Sequence, residues 1–252
     1  ILTSYRAQTE EMVRQLNDIQ EIEHLDLNLG CPSKKVNAHK GGAYLLSEMK
    51  ELREIIQIIR KNFDRTFTVK IRIGYKDTDK FIDSLKLFED EGVEAITIHG
   101  RTRDQLYRGL ANWDFIKEAA KTVSIPIIGN GDVWTVQDID RMFEYCECDS
   151  IMLGRGALKT PWLASLYYQY QDRLDDLDDF TLLQERRTYV QNYFDELERE
   201  YKKEENKNVR ILNRFKSFSR YIFDDFENAE ALRSSFLRAS SLDHFKDLLY
   251  GI

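Results

Sequence analysis

Residues 25–36 read Leu25-Asp26-Leu27-Asn28-Leu29-Gly30-Cys31-Pro32-Ser33-Lys34-Lys35-Val36. A short apolar run ends at Leu29 and gives way at once to a glycine, a cysteine and a proline. Glycine before the thiol and proline after it make a tight, stiff turn that fixes its direction. The stretch predicts a strand with a chemically equipped loop at its C-terminal end. Four further apolar runs follow, at Phe67–Ile71, Ala95–Ile98, Ile125–Ile128 and Ser150–Leu153. Several are β-branched and almost uninterrupted, which predicts parallel strands buried on both faces. Between them Met49–Asn62, Asp79–Glu91, Trp113–Thr122 and Val136–Tyr145 carry helical periodicity. Strand starts about 25 to 40 residues apart suit βα units with right-handed crossovers.

Each polar motif follows the C-terminal end of a strand, where both barrels and open α/β sheets place their chemistry. No G-x-G-x-x-G follows an early strand, so a (β/α)8 TIM barrel is the favoured fold. Ile1–Ser4 reads as the tail of a preceding strand and Thr9–Asn17 as its helix, so the first strands of the barrel are expected before residue 1. After Trp162 only helical patterns remain, at Gln184–Tyr201, Val209–Phe223, Ala229–Ala239 and Leu242–Leu249. The expected division is a barrel part over 1–165, a linker over 166–182 and a small all-helical domain over 183–252.

Composition narrows the function classes. Three cysteines cannot build a disulfide framework, which suits a reducing cytoplasm. Four scattered histidines have no zinc spacing, so no metal site is expected. No apolar run approaches the roughly 18 residues of a membrane span. The net charge of −7 runs against a nucleic-acid partner as a whole-molecule sum, but binding depends on the local patch.

The candidate residues come from the strand ends. A lone cysteine is more often a small buried apolar group, but Cys31 between Gly30-Pro32 and two lysines is less natural there. Alternation puts Lys70 and Arg72 on one face of the second strand, toward either an electron-rich ligand or a structural ion pair, for instance with Asp26. His99 ends the third strand on the same rim. Arg101, Arg103, Tyr107 and Arg108 interleave cations with an aromatic ring as an RNA surface does, with a solvated loop as the default reading. Gly129-Asn130-Gly131-Asp132 and Gly154-Arg155-Gly156 close consecutive strands, and two such loops point to a phosphorylated ligand. Cys146 and Cys148 precede the last strand and read as structural.

Taken in order, 26–32, 34–36, 41–46, 69–72, 99–102, 129–132 and 154–156 resemble the motifs of the tRNA-dihydrouridine synthase family, and Arg210–Ile252 is similar to its helical tRNA-binding domain. The resemblance implies an FMN enzyme that takes electrons from NADPH and reduces uridine in tRNA to 5,6-dihydrouridine. It implies that Lys70 and His99 contact the isoalloxazine, and that Asn130, Gly131, Asp132, Gly154 and Arg155 hold the ribityl chain and phosphate. Asn28 and Arg72 would orient a flipped-out uracil, with Lys35 and Arg101 on the RNA, and Cys31 would protonate C5 as hydride reaches C6. A monomeric protein is expected, in the cytoplasm that the three cysteines suit. Alternatives are another FMN barrel oxidoreductase of dihydroorotate dehydrogenase type, against which His99-Gly100-Arg101-Thr102 and the terminal helices argue, and a non-catalytic RNA-binding protein, which would be colourless.

Overall fold

The computed structural model describes residues 1–171, 179–223, 226 and 228–251. Five strands, β1 (His24–Leu29), β2 (Thr66–Arg72), β3 (Ala95–His99), β4 (Ile127–Asn130) and β5 (Ser150–Met152), form one sheet. They pair in parallel and in sequence order, β1-β2-β3-β4-β5. A doubly wound sheet would reverse direction at a switch point, whereas strands around a (β/α)8 barrel follow one another as these do. Residue 1 extends the ladder beyond β1. Asn28 N–H donates to Ile1 O at 2.8 Å, and the Ile1 amino group donates to Asp26 O at 2.5 Å.

Helices α1 (Arg6–Asn17), α3 (Met49–Asn62), α4 (Phe81–Asp90), α5 (Asp114–Thr122) and α6 (Val136–Cys146) alternate with the strands. Helix α3 shows why: Leu52, Ile55, Ile56 and Ile59 recur at helical spacing and are all buried, while the charged residues face outward. Four short elements carry too few residues to show a period and were not anticipated. They are α2 (Lys34–Ala38), a 3₁₀ turn at Gly42–Ser47, α7 (Arg155–Lys159) and α8 (Leu163–Tyr170). Strand β4 starts two residues later than expected, because Pro126 has no N–H to give the ladder.

Burial on both faces of the strands does not hold for β1 and β2. Leu25, Leu27, Leu29, Phe67, Val69 and Ile71 are buried against the helical layer. The opposite face carries Asp26, Asn28, Thr68 and Lys70, all only partly covered. That polar face is the inner one, and it ends in the candidate residues.

The chain divides into two compact units, one of 1–133 with 138–153, the other of 134–137 with 154–252. The second holds α7, α8, α9 (Asp179–Glu200), α10 (Lys207–Ile222), α11 (Ala229–Arg238) and α12 (Leu242–Tyr250). Its core is aromatic, with Phe194, Phe215, Phe223, Phe236 and Phe245 fully buried. The expected linker 166–182 overlaps α8 up to Tyr170 and α9 from Asp179, and its residues 172–178 lie outside the described ones. Among the described residues no helix is long and apolar enough to cross a membrane.

Candidate active site

Strand register assembles the site. Asn28 pairs with Lys70, and Lys70 with Thr97; two residues further on, Arg72 pairs with His99, His99 with Asn130, and Asn130 with Met152. Directly opposed residues in a sheet share a face, so both rows stand on the inner face at the C-terminal ends of the strands.

Asn130 is the centre of the second row. Its Nδ2 donates to Met152 O at 2.7 Å, which turns Oδ1 toward His99 and Lys70. His99 Nδ1 lies 2.8 Å from that oxygen and Lys70 Nζ 3.4 Å from it. On the other side of the ring, Arg101 Nη1 stands 3.4 Å from His99 Nε2. A guanidinium only donates, so Nε2 is the acceptor and Nδ1 carries the proton. Burial pulls His99 down to about 4, with the cations Arg72, Lys70 and Arg101 adding to it against the Asn130 hydrogen bond. The imidazole is therefore neutral at physiological pH. Burial, with Arg72 behind it, also lowers the Lys70 ammonium to about 8, against the pull of Asp26. The Asp26 carboxylate accepts from Thr68 Oγ1 at 2.9 Å. Among the described residues Lys70 has one long hydrogen bond for three donors.

The two arginines of the rim are built into the structure. Arg72 is buried, and its Nε donates to Gly30 O at 3.0 Å. Its Nη1 donates to Thr102 O at 2.9 Å and Leu106 O at 2.8 Å, and the guanidinium lies 5.5 Å from the Tyr107 ring. The ion pair with Asp26 considered from the sequence is replaced by backbone carbonyls. Arg101 is 2% exposed, so the solvated-loop reading is wrong for it. Its guanidinium donates to Gly109 O at 2.5 Å and to Asp132 Oδ2 at 2.6 Å, and that oxygen also accepts from Ala111 N–H at 2.7 Å. A buried cation needs such a partner.

The Cys31 loop leads away from β1. Asn28 Oδ1 accepts from Gly30 N–H at 3.0 Å, which shapes the turn into the cysteine. Cys31 is partly exposed, within electrostatic reach of Arg72. Gly42 packs against it at φ +61°, and a Cβ there would come within 3.0 Å of both Cys31 Cβ and Cys31 O. The sequence reading missed Asn37, which is buried and donates to Cys31 O at 3.0 Å. Asn37 sits in the short helix α2 with no period and no motif around it, so the sequence offered no signal for it.

The glycine-rich loops separate on inspection. Gly129 lies inside β4 and is a packing glycine: a Cβ would meet Met142 Sδ at 2.7 Å. Gly131, at φ +121°, is the loop glycine, and its carbonyl accepts from Trp113 Nε1 at 2.9 Å. Gly154 and Arg155 belong to the second unit, where they open α7 and Arg155 lies 4.8 Å over the Trp134 ring. Lys35 is exposed on α2 and is not joined to the cluster. Cys146 and Cys148 are buried, and burial pushes the Cys146 thiol up to about 12. Among the described residues no three metal-ligating side chains come together.

Comparison with known proteins gives the family of the chain. The model of the dihydrouridine synthase (Dus) family matches residues 1–249. The chain is 42% identical over 142 residues to the tRNA-dihydrouridine(16) synthase of Cupriavidus necator, covering 56% of this chain and 44% of that protein. It is 35% identical over 191 residues to the tRNA-dihydrouridine synthase B of Pasteurella multocida, covering 74% of this chain and 56% of the relative. The chain thus spans about half the length of these relatives. Among solved structures, histamine dehydrogenase from Rhizobium sp. 4-9 overlaps 68% of this chain and 28% of its own at 14% identity and a TM-score of 0.49. With the family model running almost end to end, the chain belongs to the dihydrouridine synthase family.

Proposed function

We propose that the protein carrying this chain reduces uridine in tRNA to 5,6-dihydrouridine, with FMN as its bound cofactor and NADPH as the electron donor, in the reducing cytoplasm that three free cysteines suit. The observation that carries the reading is the Lys70–Asn130–His99 cluster beside a partly exposed Cys31 at the strand ends of a family member.

The donor set suits a flavin. Lys70 is a desolvated ammonium with spare donors, next to a neutral imidazole whose protonated nitrogen is committed to Asn130. Such a cation favours the electron-rich edge of a reduced isoalloxazine. The flavin, when bound, supplies the hydride that reaches C6 of the uracil. The remaining work falls to the chain. Cys31 holds the proton destined for C5 and gives it up from Sγ. Asn28, with Oδ1 turned to Gly30 N–H, keeps its amide NH2 for a uracil carbonyl. Asn130 orients Lys70 and His99, and Gly131 offers close backbone approach beside them. Arg101 and Asp132 neutralise each other and hold the floor of the site. Arg72 carries the Cys31 loop through Gly30 O and, with Asn28, orients the uracil. In the second unit Gly154 and Arg155 are proposed to serve the cofactor phosphate, and Lys35 the RNA backbone. A base within folded tRNA has to be extruded to reach such a site.

Mapping dihydrouridine in tRNA from cells lacking the gene tests the function. Loss at one or more positions is expected, and an unchanged map would sink the proposal. Cys31→Ala tests the acid role: turnover should fall by about 10²–10⁴-fold with flavin still bound. A fall of less than about tenfold, small for a general acid, would remove Cys31 from that role.

A further inference from the structure

Asn37 is 5% exposed, and its amide is engaged on both sides. Nδ2 donates to Cys31 O at 3.0 Å and to Gly41 O at 3.1 Å, while Oδ1 accepts from Arg103 Nε at 2.8 Å. Arg103 comes from the loop after β3, 66 residues along the chain. It is itself secured, since its N–H donates to Gly74 O at 2.9 Å and its guanidinium lies 5.2 Å over the Tyr75 ring. Tyr75 meets Tyr44 edge to face at 5.5 Å, and Tyr44 belongs to the 3₁₀ turn whose Ala43 N–H donates back to Cys31 O at 3.3 Å.

These contacts form a closed circuit. It leaves Cys31 through its carbonyl, passes through the loops after β3 and β2, and returns to the same carbonyl. A short loop could satisfy one backbone carbonyl with water. Burying an asparagine and recruiting an arginine from two strands away fixes its position instead, because each bond restrains a different direction.

We propose that Asn37 and Arg103 form a latch that sets the position of Cys31, acting as positioning residues for its proton transfer. The catalytic meaning of the latch rests on the function proposed above; the latch itself does not. Displacing a reacting group by an ångström slows the reaction by more than the strength of one hydrogen bond would suggest.

The test reads Cys31 directly, by alkylating the folded protein that carries this chain with iodoacetamide and quantifying Cys31, Cys146 and Cys148 by mass spectrometry. Cys31 Sγ attacks the methylene carbon, iodide leaves and the thiol proton passes to solvent. Buried Cys146 and Cys148 report on the fold in the same sample. Asn37→Ala and Arg103→Ala should each change the Cys31 rate by at least about threefold while the other two cysteines stay protected. The double variant should match the single ones, since the two residues act as one unit. Rates within about 1.5-fold of the parent in both single variants, or effects that simply multiply in the double, would overturn the latch. If Asn37→Ala exposes Cys146 and Cys148, the decision passes to Arg103→Lys, which keeps the charge and removes the planar fork. A changed Cys31 rate in that variant supports the latch, and an unchanged one refutes it. Alkylation needs neither RNA nor flavin, so failure here leaves the proposed function standing, while an unchanged dihydrouridine map would refute the function and leave the latch. In the active enzyme Asn37→Ala should lower kcat with KM within about twofold, the split expected of misplaced chemistry rather than weakened binding.

Discussion

The two units bury their interiors by opposite means. In the second, phenylalanines pack on one another: Phe223 stacks on Phe236 with centroids 4.6 Å apart, and Phe215 meets Phe245 edge to face at 4.7 Å. Such contacts have weak directional demands, and one apolar ring substitutes for another at modest cost. The inner face of the first unit buries Arg72, His99, Arg101 and Asn130, and there each group answers to a particular partner. The difference teaches what each part is for. An aromatic core secures a shape, whereas a polar interior holds chemical groups in register and does so at some expense in stability.

Three substitutions break or sharpen this comparison. The largest effect is expected from Phe215→Ala, at the centre of the aromatic cluster. It should destabilise by about 3–5 kcal/mol in denaturant unfolding while the Cys31 alkylation rate stays that of the parent. A loss below about 1 kcal/mol would mean the ring cluster is not the core it resembles.

Asp132→Ala comes next, at about 3 kcal/mol, because it strands the buried Arg101 cation. Unlike the phenylalanine change, it should be eased by a second change, Arg101→Met, which removes the stranded charge. Were the double variant no more stable than Asp132→Ala alone, the pair would not be a directional element of the inner face.

The smallest effect has the opposite sign. Lys70 titrates near 8 in the fold against an ordinary value of 10.5. Below pH 8 the amine is charged in both states, and the folded one bears the full cost of burying it. Between pH 8 and 10.5 the unfolded chain binds the extra proton, so stability rises with pH and the cost fades. Lys70→Met should therefore stabilise by roughly 1–3 kcal/mol at pH 7, with the advantage shrinking toward pH 10.5. The same variant should lose flavin. A destabilised Lys70→Met at pH 7 would show that the cation is not held against its own preference.

Much of the architecture was legible in the residues. All five strands, and α3 to its last residue, follow from apolar periodicity, which needs no knowledge of neighbours. Cys31, Lys70, His99 and Asn130 were legible as strand-end residues for the same reason. The partners were not. Arg101 in a loop of alternating cations looks solvated, and only the approach of Asp132 and Gly109 O makes its burial tolerable. Gly129 looks like a loop glycine until Met142 is seen above it. Asn37 has no period and no motif, and its value comes from Arg103, 66 positions away.

Local pattern thus accounts for which segments are strands and which faces turn inward, because the strand period of two and the helical period of 3.6 are properties of the backbone. It also accounts for the ordered motifs that mark the family. The tautomer of His99, the lowered proton affinity of Lys70 and the part Arg103 takes in restraining the Cys31 loop were decided by tertiary contacts alone. Hydrogen bonding and desolvation depend on what is brought within 3 Å or so of a group, and distance along the chain does not specify that.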